Sequence, residues 1–257
     1  MKVLEGKRAV ITGGSDGIGY AIAKAFAENG ADLLLIARNQ EKLENAARDL
    51  SAYESKVEVL SHDLSNTESI DSLIEKVSNV FPDINILVNN AGGAEFIPFE
   101  RVSPQQYDKL FDLNVKAAFL LTQGLLPSLK ENKGSIINIS SFHAQRVMPG
   151  YPSTVYSMAK AAVNAFTKAL AYEIGPLGVR VNAIAPGNVS TTKVKAAMAN
   201  VPEQAKLKMQ EMIKGIYPLG RIGNAEEIGG VAVYLASEQA SWVTGSIFNI
   251  DGGLTTN

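Results

Sequence analysis

Tyr156 and Lys160 stand four residues apart in Tyr156-Ser157-Met158-Ala159-Lys160, a spacing that sets a phenol and an ammonium on one face of a helix. A fixed cation favours phenolate, so a tyrosine that titrates near pH ~10 in water is expected here to be drawn toward neutrality and to pass protons. The same Tyr-x-x-x-Lys spacing also occurs on solvated helix faces. Its meaning depends on what the rest of the chain places around it.

Composition narrows that context. The 257 residues are 46% hydrophobic and 19% charged, enough for a substantial core in one large α/β domain or two small ones. A net charge of −2 offers no basic surface for nucleic acid, so a small-molecule partner is expected. With 0 Cys there is no disulfide framework, thiol nucleophile or Cys-based metal site, and His62 and His143 alone do not make a His-rich one. No metal is expected. Residues 1–6 lack the apolar core of a signal peptide, and no apolar run approaches the ~18 residues of a membrane span. The cytoplasm is the expected location, with no membrane partner.

Arg8–Thr12 reads as a short buried strand. Thr12-Gly13-Gly14-Ser15-Asp16-Gly17-Ile18-Gly19 follows, and then a helical pattern through Ala21, Ile22, Ala25 and Phe26. Strand, glycine turn and helix N-terminus together form a trap for a pyrophosphate. The apolar run 32–37 suits a strand buried on both faces. An acidic residue at its end would bind a ribose 2′-hydroxyl, but the chain has Ala37-Arg38, and Arg38 either meets a phosphate or is an ordinary surface residue.

Further along, 41–51 reads as a polar helix and Val57–Ser61 as a strand. At its end, Asp63 either reaches an adenine amino group or caps a helix beginning near Thr67. Strand 84–88 runs into Asn89-Asn90-Ala91-Gly92-Gly93, whose small residues permit close approach of a ligand or simply make a turn. Residues 105–129 form a long helical pattern with Asn114 inside it. Asparagine is a poor interior helix residue, so Asn114 faces solvent or answers a specific polar need. Strand 136–139 leads to Ser140-Ser141, helix 155–174 carries Tyr156, and strand 180–184 precedes Pro186-Gly187-Asn188-Val189-Ser190-Thr191. Residues 192–216 read as a mobile helical lid within a substrate-covering segment 188–217. Helix Ala225–Ala236 and strand 246–250 complete the chain, and Trp242 is expected in the core or at an interface. Strands alternate with helices throughout, which implies one doubly wound parallel α/β sheet with helices on both faces.

In this order the motifs resemble the short-chain dehydrogenase/reductases, NAD(P)-dependent oxidoreductases on a Rossmann-like fold, including the 3-oxoacyl-reductase-like and tropinone-reductase-like members. Thr12-Gly13-x-x-x-Gly17-Ile18-Gly19 is similar to the family's cofactor turn and Asn89-Asn90-Ala91-Gly92 to its strand-ending motif. Asn114, Ser141, Tyr156 and Lys160 fall in the order of its catalytic tetrad. The interval from Ser141 to Tyr156 exceeds the common family spacing, which leaves Ser140 as the alternative serine. Ser141 is chosen because the family's serine usually follows a small residue after the strand.

The resemblance implies hydride transfer between a nicotinamide and a carbonyl or alcohol carbon. Tyr156 would act as general acid or base, Ser141 would orient the substrate oxygen, Lys160 would tune Tyr156 and hold ribose hydroxyls, and Asn114 would hold a water behind Lys160. It implies cofactor contacts from Thr12, Gly13, Ser15, Asp16, Gly17, Ile18 and Gly19, from Arg38, Asp63 and Leu64, and from Asn90, Ala91 and Gly92. Tyr156, Lys160, Pro186, Gly187, Val189 and Thr191 complete the set. Arg38 favours NADP, while Asp16 stands where NADP-preferring relatives often carry a base, so NAD remains possible. Substrate contacts are expected from 93–99, 142–155 and the lid, where Phe96, Phe99, Phe142, Met148, Tyr151, Met198 and Met212 either meet a partly apolar substrate or pack the lid. His143 either touches substrate or is structural. The family commonly forms tetramers, and the two long helices read as apolar on more than one face. An NAD-dependent alcohol or sugar dehydrogenase is the alternative, and a non-catalytic cofactor-sensing regulator is the reading from another class.

Overall fold

The computed structural model describes residues 2–199 and 201–256. Its frame is set by short apolar strands that have no solvated face. In β2 (Asp32–Ala37) the run Leu33 to Ile36 is fully buried, and β1 (Arg8–Thr12), β4 (Ile86–Asn89) and β5 (Ser135–Ile139) are buried nearly end to end. With β3 (Val57–Ser61), β6 (Arg180–Pro186) and β9 (Ile247–Ile250) they form a seven-stranded sheet in the order β3-β2-β1-β4-β5-β6-β9. Every pairing is parallel. Parallel strands need helical crossovers, and those cover both faces of the sheet.

One face packs α1 (Gly17–Glu28), α2 (Gln40–Leu50) and α9 (Ala225–Ala236) over a core that includes Ile11, Phe26, Leu35 and Leu43. The other carries α3 (Ile70–Val80), α5 (Ala117–Glu131) and α6 (Thr154–Ile174) over Val10, Leu34, Leu87 and Leu121. Each fully buried Leu, Ile or Phe is worth ~1.5–3 kcal/mol relative to exposure, so these two clusters hold the sheet between its helices.

The helical pattern over 105–129 is not one α-helix. A helix α4 (Pro104–Phe111) starts on a Ser103/Gln106 capping box and passes into a π-helical turn, Asp112–Lys116, before α5 begins. The cause is Asn114, buried at 3% exposure. Its Nδ2 donates to the Leu110 carbonyl at 2.8 Å, taking an acceptor that a regular helix would give to its backbone.

The stretch 192–216 resolves into α7 (Thr192–Ala199) and α8 (Glu203–Ile216), entered through a two-residue bridge of β7 (Val189–Ser190) to β8 (Gly223–Asn224). Residues Ile213 and Ile216 lean on a small cluster of Phe142, Met148, Tyr217 and Leu254. Trp242 is 98% exposed, which overturns its placement in the core. Ala240, two residues before it, is instead the buried residue where the chain turns toward β9.

Candidate active site

The order of the sheet reverses between β1 and β4, and the loops leaving their carboxyl ends part to open a crevice. That switch point is where doubly wound sheets bind ligands. Every strand from β1 to β6 delivers chemistry to this edge: Gly13 follows β1, Arg38 follows β2, Asp63 follows β3, Asn90 follows β4, Ser141 follows β5 and Gly187 follows β6. Two adjoining cavities of about 480 and 360 Å³ share Gly13, Asp16, Arg38, Ala91 and Gly92. A larger cavity of about 550 Å³ lies beside Lys7, Arg180 and Trp242, at the opposite edge of the sheet, and contains none of these residues.

The glycine turn excludes side chains from the crevice floor. Gly13 has φ +65°, and a Cβ there would come within 2.6 Å of Asn90 Nδ2, while one on Gly19 would collide with the Gly13 carbonyl. Asn90 locks this geometry by donating from Nδ2 to the Thr12 and Gly13 carbonyls at 2.8 and 3.2 Å. Thr12 Oγ1 donates to the Val88 carbonyl and accepts from the Asn90 and Ala91 amides, each at 2.9 Å. Thr12 and Asn90 thus use their polar atoms to join β1 to β4, and they shape the crevice rather than line it with free donors. Ile18 lines the larger cavity and Ser15 and Leu64 the smaller. Val189 is buried and supports the loop behind Thr191.

At the far end Arg38 is exposed at the rim. Burial works against the Asp63 charge, but the Ser65 hydroxyl and amide and the nearby Arg38 outweigh it and hold the carboxyl below its usual range. Asp63 Oδ1 accepts from Ser65 N at 3.0 Å and Oγ at 2.8 Å, so it braces its own loop and does not cap α3. Asp16 caps α1, accepting from Gly17 N at 2.7 Å, and pairs with Lys42 Nζ at 3.1 Å. Burial raises the Asp16 pKa, whereas Lys42, the Gly17 amide and Thr192 pull it down, with a lower net result. The sequence reading missed Lys42. Its signal was available, because Lys42 lies in the first turn of the helix that follows the loop of Arg38, and both line the smaller cavity.

The reacting end is built on α6, whose second and sixth residues after Thr154 are Tyr156 and Lys160 in the required register. Lys160 is buried at 5% exposure. Its Nζ donates to the Ile139 carbonyl at 2.9 Å and stands 5.8 Å from the Tyr156 ring centre. Burial lowers its pKa to about 8. Burial also raises the Tyr156 pKa, opposed by a hydrogen bond with Ser141. This corrects the expectation that the neighbouring ammonium would draw the phenol toward neutrality: desolvation is the larger effect on both groups.

Ser141 lines the crevice together with Tyr156, whereas Ser140 Oγ is engaged in donating to the Lys160 carbonyl at 3.2 Å. Asn114 faces inward. Its Nδ2 donates to the Gly93 carbonyl at 3.0 Å and its Oδ1 accepts from Gly93 N at 3.3 Å. A Cβ on Gly92 would lie 2.7 Å from Asn114 Oδ1 and 3.3 Å from Lys160 Nζ, so Asn114 and Lys160 converge on the same glycine.

Among the expected substrate residues, Phe142 and Met148 are buried in the cluster against which Ile213 and Ile216 pack, whereas Phe96, 43% exposed, stands between Tyr156 and the 41% exposed Tyr151. Phe99 is 76% exposed and Met212 46%. Pro186, Gly187 and Thr191 line the crevice opposite Tyr156.

The family model described as enoyl-(acyl carrier protein) reductase matches residues 13–255. The chain belongs to the short-chain dehydrogenase/reductase family. As a member of that family it is an NAD(P)-dependent oxidoreductase. A 3-oxoacyl-(acyl-carrier-protein) reductase of Chlamydia muridarum is 37% identical over 254 residues, 98% of each chain. A 3alpha-hydroxysteroid dehydrogenase of Mediterraneibacter gnavus is 37% identical over 256 residues, 97% of each. The crystal structure of L-sorbose reductase from Gluconobacter frateurii, complexed with NADPH and L-sorbose, has a TM-score of 0.92 at 34% identity and covers 100% of both chains. Among short-chain dehydrogenase/reductases this chain is therefore similar, over nearly its whole length, to enzymes named for quite different substrates.

Proposed function

We propose that this oxidoreductase moves a hydride between NADP(H) and the carbonyl or alcohol carbon of a small, partly apolar substrate, with Tyr156 as general acid and base. The observation that carries the reading is the convergence of Ser141, Tyr156 and a buried Lys160 on one crevice whose other end presents Arg38 and Lys42. The glycine floor fits a dinucleotide, because Gly13 and Gly19 leave no room for a Cβ against Asn90 and the Gly13 carbonyl, and so hold the turn in the tight form that lets a pyrophosphate approach the backbone.

The bound nicotinamide supplies the hydride chemistry. On the protein side, Arg38 and Lys42 answer the charge of a 2′-phosphate, and the paired Asp16 is prevented from repelling it. Use of NADPH by a 34%-identical relative supports this choice. Ser141 Oγ donates to the substrate oxygen and holds it next to the phenol. In the direction of reduction Tyr156 gives its proton to that oxygen, and a raised phenol pKa keeps the proton in place until the oxygen becomes basic. Lys160 carries its cation beneath the ring and recharges the phenol. Asn114 keeps the Gly92-Gly93 backbone clear of Lys160 and holds a water that links Lys160 to solvent.

Helices α7 and α8 form the substrate lid, with Val194, Leu207 and Met212 at its surface. The outer faces of α5 and α6 expose Phe119, Met158 and Tyr172 at 47%, 47% and 88%, which supports assembly of several copies through these helices. Among the described residues no helix is long and apolar enough to cross a membrane, in keeping with a cytoplasmic enzyme. A panel of carbonyls with NADPH and of alcohols with NADP, followed by the absorbance of reduced nicotinamide, tests the reading. Carbonyl-dependent loss of NADPH absorbance is expected. Activity confined to alcohols with NAD would favour the oxidative alternative, and cofactor binding without any turnover the regulator.

A further inference from the structure

The buried imidazole of His143 lies against the proposed proton donor and belongs to no hydrogen-bond network. Its ring is 6% exposed and its Nδ1 has no hydrogen-bond partner. Phe142 stacks at 4.1 Å between ring centres, Phe96 stands at 5.5 Å, and the Tyr156 ring meets it edge-on at 5.6 Å. Burial lowers its pKa, so the imidazole is neutral near pH 7 and keeps one nitrogen as donor and one as acceptor. Its backbone is fixed as well, because His143 N donates to Ser141 Oγ at 3.2 Å.

A histidine kept for structure would use its nitrogens. Burying one without a partner is unfavourable, and a Phe or Leu would fill the same aromatic surroundings without that cost. A buried polar group left unsatisfied calls for an explanation, and an oxygen of a bound molecule is one that would complete it. The covering residue can yield, because Phe96, which stands against the imidazole and in turn against Tyr151, is 43% exposed.

We infer that His143 is a specificity-determining residue, and that it hydrogen-bonds a second oxygen of the substrate, a hydroxyl or carbonyl on a carbon next to or one removed from the reacting carbon. The Tyr156 ring meets the imidazole edge-on, so a substrate oxygen held at the phenol would bring a neighbouring oxygen of the same molecule beside His143. The substrate class is thus hydroxyketones and dicarbonyls, with the surrounding rings covering their carbon chain, and not plain ketones. This rests on the proposed reductase reading.

The test compares matched pairs, butanone against 3-hydroxybutanone and cyclohexanone against 2-hydroxycyclohexanone, by kcat/KM with NADPH in wild type, His143→Phe and His143→Gln. Wild type is expected to prefer the oxygenated member by at least about tenfold. In His143→Phe that preference should collapse, with the plain ketone changed by less than about threefold, and the Gln amide should restore part of it. A merely structural histidine would lower both members of a pair equally. An unchanged preference in His143→Phe, or no preference in wild type, overturns the inference. If wild type binds NADPH and turns over neither member of any pair, this substrate class is wrong, whereas failure to bind NADPH refutes the reading beneath it.

Discussion

Reversing the charge at Arg38 probes the cofactor end of the crevice. In wild type the 2′-phosphate would meet Arg38 at the rim and Lys42, whose Nζ lies 3.1 Å from Asp16. A hydrogen bond to a charged group contributes ~1.5–3 kcal/mol, and solvent screening at an exposed rim places Arg38 at the lower end. At ~1.4 kcal/mol per factor of ten, loss of the guanidinium lowers kcat/KM for NADPH about tenfold. The carboxylate in Arg38→Asp adds repulsion, for a total of roughly 10- to 100-fold. NADH has no phosphate to lose, so the NADPH/NADH ratio should fall by that factor, mainly through KM. Lys42→Ala should also lower the ratio, because it removes one cation and releases the Asp16 carboxylate. The assay is kcat/KM for both cofactors on wild type, the two single variants and the double variant. A ratio unchanged in both single variants would refute this account of the crevice and return Arg38 and Lys42 to the surface.

Stability should show the strain of the buried lysine. Its folded pKa of about 8 lies below the ordinary 10.5, so between those values the unfolded chain holds a proton that the folded chain has released. Stability from this group therefore rises with pH across that window, and the burial penalty is fully felt below pH ~8. Lys160→Met should stabilise the protein by ~1–3 kcal/mol at pH 7, less what the Ile139 carbonyl loses, and the gain should shrink near pH ~9.5. Urea unfolding at the two pH values checks it, and an equal gain at both would contradict the burial argument. Gly92→Ala should cost ~1–3 kcal/mol through overpacking and reduce turnover, because its Cβ would meet Asn114 Oδ1 at 2.7 Å. A fully active, equally stable variant would show that Asn114 and Lys160 are not fixed by that glycine. Light scattering at micromolar concentration should find more than one copy per particle, and a monomer would leave the exposed Tyr172 and Phe119 without a partner.

The parts of the fold that were legible in the sequence share one property: they depend on local pattern. The apolar runs of β1 and β2 and the switch from strand to Gly13-x-x-x-Gly17 predicted both the sheet and its crevice, because a buried parallel strand cannot alternate polar and apolar residues. Where the sequence fell short, a side chain was acting over distance. The Asn114 amide breaks a helix by binding Leu110 and Gly93, which a helical period cannot register. Spacing placed Lys160 beside Tyr156 correctly, yet it says nothing of depth, and burial reversed the expected direction of the phenol's titration. The partner of Asp16 lies 26 positions away at Lys42. Phe142 is the chain neighbour of His143, but Phe96 and Tyr156 come from two other segments that meet it only after the sheet has formed.

The central claim is that Tyr156 is the proton donor, and Tyr156→Phe tests it most directly, because the ring is kept and only the hydroxyl next to Ser141 is lost. Positioned acid catalysis contributes ~10²–10⁴-fold. With a substrate that wild type reduces, the variant is expected to lose at least about a hundredfold in kcat while its Kd for NADPH stays within about twofold. A variant that binds NADPH normally and retains more than about a tenth of the wild-type kcat would contradict the account, since the proton would then come from another group.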